Sequence, residues 1–456
     1  MKLLRHLAPL IVPLLAIAAQ SEAVLAQSDA PQDTTIDLGV MLGRDASGGL
    51  SISSGKTYNR VEGLPILFGP TYRGAAGGGR LSVSALGIIR SADNFNWDAE
   101  NIGHQLSAGL RFGQRQGFEV GAESFDVVAK IEPWQLSEPD GGLAAFFLKR
   151  DYFDFFGRHG ARAHVSAFRG NTTVVLGMSD VRWSSRRERK VQTLFRGSES
   201  WRENPSINDG RAHVLDVSVR IDTRNSVVDP SDGWFLTAHY EHGSGDFETT
   251  GTSILPTLPD GRAGLAYGRS FIDLRRYNRI SQRRKLHGRL VLGGWLHGDE
   301  LPYQRRFSVG GIGTLPGFEF RRTGIGTDVG QCGSEVTTST ARPAECERVA
   351  LAQVEYRQEL VSELIDMFNR NGLRVRGAAF RVKPDIVAFA DAGRGWLVGP
   401  REGTLRYGSR SLPGFDTFRT DVGIGIDLGM AGLYVAKAVS EPKEPANFFI
   451  RLRNRF

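Results

Sequence analysis

The chain is poor in most of the residues and patterns that point to catalysis or to helical membrane insertion. It has only two cysteines and five methionines in 456 residues, and its nine histidines are scattered. Beyond residue 26, every apolar run is interrupted within a few residues by Arg, Asp, Gly or Ser. A helix that crosses a bilayer needs roughly 18 or more apolar residues, so a helical inner-membrane protein is excluded. No nucleophile elbow and no zinc-binding helix motif occurs. The glycine patterns at Gly324-Ile325-Gly326 and Gly423-Ile424-Gly425 lack the strand-to-helix setting of a nucleotide loop. No catalytic residue, cofactor or metal site is therefore expected, although Ser, His and acid groups dispersed over a β-barrel wall would leave no local motif. The net charge of +7 is spread along the whole length. Its local clusters, Arg186-Arg187-Glu188-Arg189-Lys190 and Arg283-Arg284-Lys285, sit between strand-like stretches, as solvated rim charges do. Binding to nucleic acid is not expected.

The first residues supply Lys2 and Arg5, an apolar run from Leu7 to Ala19 broken by Pro9 and Pro13, and then Val24-Leu25-Ala26. That order reads as an export signal over residues 1–26, cleaved after Ala26. An exported chain without apolar helices is either a soluble protein or a transmembrane barrel, because a membrane core admits only helices and closed barrels. The composition leans to the barrel: 56 Gly, 26 Phe and 7 Trp, with 40% hydrophobic residues and yet a mean hydropathy of −0.25. Alternating strands give such an average, since half of each faces lipid and half a polar interior.

The alternation can be read residue by residue. Leu215, Val217, Val219 and Ile221 share one face, and Asp216, Ser218, Arg220 and Asp222 the other. Phe418, Val422, Ile424, Ile426 and Leu428 oppose Arg419, Asp421 and Asp427, while Ala350, Ala352, Val354 and Tyr356 oppose Gln353, Glu355, Arg357 and Glu359. Strands of this kind are expected near 36–43, 59–73, 80–90, 104–113, 117–129, 161–169, 172–184, 212–224, 234–244, 264–280, 286–298, 347–359, 385–396, 418–430, 432–440 and 447–456. About sixteen strands, each near the roughly 9 to 11 residues needed to cross, make an all-β transmembrane antiparallel barrel over residues 36–456, preceded by a short periplasmic linker at 27–35. Leu143, Phe146, Phe147 and Phe153 recur at helical spacing before Gly157, so residues 143–157 are expected either as a short interfacial helix or as a strand with an aromatic girdle.

The stretch from Arg306 to Arg348 is far longer than a hairpin needs, which suggests a binding or plugging segment. Cys332 and Cys346 both fall inside it, and in an exported protein they are expected to pair. Closing a loop of about 15 residues stabilises it by roughly 3 kcal/mol in the chain-entropy model. At the C-terminus, Phe448, Ile450, Leu452 and Phe456 share one face, and Arg451, Arg453 and Arg455 the other.

Within the long connection, Phe307-Ser308-Val309-Gly310-Gly311-Ile312-Gly313-Thr314-Leu315-Pro316-Gly317-Phe318 resembles the sixth-loop signature of the outer-membrane barrel superfamily that contains the BamA and TamA assembly proteins and the bacterial surface antigens. The resembling positions are Gly310, Gly311, Leu315, Gly317 and Phe318, and Pro316 stands where that family has an arginine. Asp222-Thr223-Arg224-Asn225 through Asp229-Pro230-Ser231-Asp232-Gly233-Trp234, the inward Phe389-x-Asp391 pair, and the aromatic C-terminal strand resemble the same family. The resemblance covers the second half of the chain, from Asp222 to Phe456.

It implies a barrel with a long sixth loop folded into the lumen, in the bacterial outer membrane, acting on a protein or lipid client. It also implies that the family's periplasmic POTRA modules are missing, since only about ten residues precede the first expected strand. In the family the loop arginine pairs with inward acids. Here Arg321 or Arg322 is the candidate to reach Glu355 or Asp391, beside the alternative that these charges form a loose lumen network. The partners implied are outer-membrane lipid, an unfolded protein client, a periplasmic accessory protein or further copies of the chain. A passive pore is the competing reading.

Overall fold

The computed structural model describes residues 35–41, 46–54, 57–248, 262–320, 346–361, 374–375, 378–379, 384–398, 406–407, 411–429, 431–452 and 455–456. The expected export signal, most of the linker, Arg321, Arg322 and Cys332 lie outside them.

Seventeen strands follow one another in a single antiparallel meander. They are β1 (Thr35–Met41), β2 (Ala46–Ser53), β3 (Pro65–Ala76), β4 (Gly79–Arg90), β5 (Ile102–Phe112) and β6 (Gln116–Lys130). Then come β7 (Phe155–Arg169), β8 (Thr172–Ser185), β9 (Gly210–Asp222), β10 (Gly233–Glu248), β11 (Arg262–Ser281) and β12 (Arg284–Gly298). The series closes with β13 (Arg348–Glu359), β14 (Asp385–Val398), β15 (Arg419–Asp427), β16 (Gly432–Ala438) and β17 (Asn447–Arg451). Two-residue strands at Arg374–Val375, Ala378–Ala379 and Arg406–Tyr407 lie in the connections. Sixteen strands, β2 to β17, form the body of the barrel sheet, and β1 adds one more at its N-terminal edge. The sixteen expected from the sequence included β1 and passed over β2.

The register explains why the sheet curls around a polar interior. On β13 the side chains alternate between Val354, 49% exposed, and Glu355, 1% exposed; on β15 between Ile424, 62% exposed, and Asp421, 1% exposed. Shifting either strand by one residue would put carboxylates in lipid and isoleucines in the lumen, so the hydrophobic pattern pins the pairing. Most connections are short at one end of the sheet, which we call the turn end, where residues 360–384 are the long exception, and most are longer at the other, the loop end. The two-residue turn Gly77-Gly78 has positive φ at both positions (57° and 78°), the backbone a tight hairpin requires. At the loop end, residues 57–64, 91–101, 131–154 and 186–209 fold together.

A helix, α1 (Glu138–Leu148), lies in the 131–154 connection. Ser137 caps its N-terminus by accepting from the Asp140 N–H, and Lys149 ends it with φ 56°. The helix begins five residues earlier than the aromatic spacing suggested, and Phe155 and Gly157 already belong to β7. Its buried residues are Asp140, Gly141, Gly142 and Ala145. Gly141 lies against the Phe153 ring and Gly142 against Thr57. Small residues thus allow the helix to approach Phe153 and Thr57 closely. Arg60, fully buried, rivets three of these connections. It donates to Asp154 at 3.0 Å and Asn204 at 2.9 Å and sits 3.3 Å from Asp151.

Candidate functional site

The connection after β12 turns into the interior. Its root is held by charge: Arg305 donates to Glu241 on β10 at 2.8 Å, with its guanidinium 4.6 Å from the Trp183 ring centroid. Burial pulls the Arg305 guanidinium down, but Glu241 outweighs it and holds the group above its ordinary range. Phe307 pairs with Cys346 through two backbone hydrogen bonds of 2.8 and 2.9 Å, so the loop closes on itself. Cys346 is fully buried and not a free thiol. Its expected partner Cys332 lies outside the described residues, and the pairing remains a proposal. Beyond the bridge, Ser308 donates its N–H and its hydroxyl to Glu132 at 2.7 and 2.6 Å and accepts from Gln135. Both partners, the acceptor Glu132 and the donor Gln135, come from the 131–154 connection.

The tip is a self-bonded turn. Gly310 and Gly311 have φ of 130° and 88°, which L residues rarely adopt. The Gly310 N–H donates to the Thr314 hydroxyl at 2.8 Å, and the Gly311 N–H reaches the carbonyls of Leu315 and Phe318, both at 3.1 Å. Leu315 and Phe318 are buried against Val291, Val349 and Leu351 of β12 and β13, while Ile312 packs on Phe389, Tyr434 and Phe449.

Polar contacts then fix the tip to the wall. Gln353 donates to the Thr314 carbonyl at 2.9 Å, Asn447 to the Pro316 carbonyl at 3.1 Å, and the Gly317 N–H to Asp421 Oδ2 at 2.6 Å. Pro316 is buried and offers its carbonyl. The tip from Gly310 to Phe318 carries no charged side chain.

The wall beneath the tip is acidic. Register places Asp391 opposite Asp421 and Glu355 opposite Phe389, and all four side chains face inward and are buried. Arg357 donates to Glu355 at 2.5 Å and to Asp427 at 2.7 Å. The cation on Asp391 is Arg455. It donates to Asp391, stands 4.0 Å from Glu355, and places its guanidinium carbon 3.9 Å from the Phe389 ring centroid. Of the acids for which Arg321 and Arg322 were the sequence candidates, Asp391 is met, among the described residues, by Arg455 from the end of the chain, and Glu355 chiefly by Arg357 of β13.

The C-terminal residues divide accordingly. Phe448 and Ile450 face outward at 81% and 58% exposure, whereas the strand ends at Arg451. The Leu452 N–H donates to Asp140 at 2.6 Å, and Phe456 is buried instead of sharing the outward face. Sequence alternation had put Arg455 and Asp421 on the inward side without naming them as anchors. Nothing in the sequence singled out Glu132, Gln135 or Asn447, which reach the loop through tertiary placement alone.

Comparison with known proteins agrees with this geometry. The Omp85 superfamily domain matches residues 208–433. The crystal structure of BamA from Haemophilus ducreyi lacking POTRA domains 1–3 aligns with a TM-score of 0.50 at 13% identity, covering 96% of this chain and 76% of that one. CdiB from Acinetobacter baumannii (TM-score 0.32, 10% identity, 90% and 59% covered) and CdiB from Escherichia coli (0.35, 10%, 92% and 67%) align more loosely. No curated protein matches the sequence. The family domain spans β9 to β15 with the inward loop between them and reaches the first residues of β16, and the barrel fold is similar to that of BamA; this chain belongs to the Omp85 superfamily of bacterial outer-membrane β-barrels.

Proposed function

We infer that the protein assembles or translocates a client, protein or lipid, at the outer membrane. The observation that carries this reading is the seam. Among the described residues β1 pairs only with β2 and β17 only with β16, so no ladder joins the two ends of the sheet. The last strand is five residues long. An unpaired strand edge is a template on which an incoming strand can form backbone hydrogen bonds. A passive pore would gain from a sealed wall and an open lumen. Here the 131–154 connection, the loop tip and Arg455 all occupy the interior. Membership of the Omp85 superfamily supports the same direction. An unfolded barrel protein is the client this edge fits best; a periplasmic accessory protein or a second copy of the chain could present it.

The test is to reconstitute the chain in liposomes and follow how fast an unfolded client barrel acquires heat-resistant electrophoretic mobility, against empty liposomes. Acceleration is expected. No acceleration together with ion leakage through the same vesicles would refute assembly and leave a pore.

A further inference from the structure

Three buried carboxylates, Glu355, Asp391 and Asp421, line the wall where the loop docks, and the docking segment brings no cation. Its contact with Asp421 is a backbone N–H at 2.6 Å. Arg357 is engaged by Glu355 and Asp427 and also lies 3.4 Å from Asp385. Arg451 lies 3.5 Å from Asp140 and donates to the Ile312 carbonyl at 3.4 Å. Among the described residues the guanidinium that donates to Asp391 is Arg455, and Asp391 in turn faces Asp421 across the β14–β15 register. The aromatic face of Phe389 completes the seat, and Gly423 opposite it is required, since a Cβ there would come within 2.1 Å of the Phe389 ring. A planar cation held by two acids and one ring is a built site, matched to guanidinium geometry.

The sequence around Arg455 also fits a second position. Phe448, Ile450, Leu452 and Phe456 alternate with Arg451, Arg453 and Arg455 as in a strand that runs to the last residue. Yet the strand stops at Arg451, and both Arg455 and Phe456 are buried. The same residues can therefore serve either the sheet edge or the interior seat.

We propose that Glu355, Asp391 and Phe389 form a guanidinium-binding seat filled by the chain's own Arg455, and that this occupancy keeps the loop tip docked on Asp421. With the seat filled, Arg455 balances the charge of Asp391, and Asp421 Oδ2 accepts the Gly317 N–H. With Arg455 withdrawn along the sheet edge, the facing carboxylates repel, and Asp421 loses its hold on the tip. Loop docking and the position of the last residues are then one reciprocal equilibrium. The proposal holds whatever the client is, and its test does not use a client.

The experiment is hydrogen exchange on the full chain in lipid nanodiscs, comparing the wild type with Arg455→Ala, Arg455→Lys, Asp391→Asn and the double variant Arg455→Ala/Asp391→Asn. Exchange in peptides covering 310–318 is expected to rise at least tenfold in Arg455→Ala and less in Arg455→Lys, with β5 to β8 unchanged. In the Asp391→Asn background, removing Arg455 should add little. Unchanged tip exchange in Arg455→Ala overturns the proposal. So does a rise spread equally over β5 to β8, or an Arg455→Ala effect of full size in the Asp391→Asn background. If Arg455→Ala fails to insert, Arg455→Lys and Asp391→Asn decide on the same readout: tip exchange at the wild-type rate in both overturns the proposal.

Discussion

Gly317 is a point of close approach between the docked loop and the barrel wall, and Gly317→Ala tests it directly. A Cβ at this position would lie 2.6 Å from Asp421 Cβ, 2.7 Å from the Ala438 nitrogen and 2.8 Å from the Lys437 carbonyl carbon. Two of those atoms are backbone of β16 and cannot turn aside, so the tip must lift. Overpacking of this kind costs about 1–3 kcal/mol. Lifting also breaks the hydrogen bond from the Gly317 N–H to a carboxylate, which contributes about 1.5–3 kcal/mol. Together they come to about 2.5–6 kcal/mol. At about 1.4 kcal/mol per tenfold change, the open population of the tip should rise by roughly two to four orders of magnitude. Hydrogen exchange of residues 310–318 in the full chain reads that population directly, with β5 to β8 as internal reference. Asp421→Asn, which keeps the shape but weakens the acceptor, should give a smaller rise. Exchange within about threefold of wild type in Gly317→Ala would refute the docking argument, because the tip would then not depend on this contact.

Replacing Arg60 with Met, which keeps the stem and removes the guanidinium from Asp151, Asp154 and Asn204, should lower stability by about 3–5 kcal/mol; the midpoint of urea unfolding from vesicles measures it. Ile424→Arg puts a charge on the outward face of β15 and should cost about 2–4 kcal/mol if that position sits near the bilayer midplane, read in the same assay; an unchanged midpoint would contradict a lipid-facing assignment. Thiol labelling of the unfolded chain should find no reactive cysteine without reductant and two with it, as pairing of Cys332 with Cys346 requires. Labelling without reductant would sink the pairing.

The strand alternation was legible because each strand meets two different media, and a period of two separates Val354 from Glu355, or Ile424 from Asp421, by composition alone. It failed at β2, where Gly48, Gly49 and the serines give little contrast between faces. It also blurred the start of β7: Phe153, Phe155 and Phe156 extended an apparent helical spacing, although Ser137 and Pro139 were present as start signals for α1. For the site, the sequence located the loop tip and the inward direction of Asp391, Glu355 and Arg455. It could not say which cation meets which acid. That depends on the end of β17 at Arg451 and on how the 131–154 connection folds across the loop end. These are long-range placements with no local signature.

The electrostatic logic of the interior leads to one further test. A buried carboxylate left without a partner costs several kcal/mol, so a neutral loop tip can dock on Asp421 only where a cation from elsewhere neutralises the wall. Pro316 sits beside that wall, its carbonyl bound by Asn447 and the next N–H by Asp421. In the wild type an arginine at 316 would bring a second guanidinium to acids already held by Arg455, so Pro316→Arg should loosen the tip in hydrogen exchange. In an Arg455→Ala background the same substitution should restore protection, because it supplies the missing cation from the loop itself. A change of sign between the two backgrounds is what charge compensation demands. If Pro316→Arg acts alike in both, the acids beneath the tip do not require a cation, and the loop is held by packing of Leu315 and Phe318 and by the hydrogen bonds from Gln353 and Asn447.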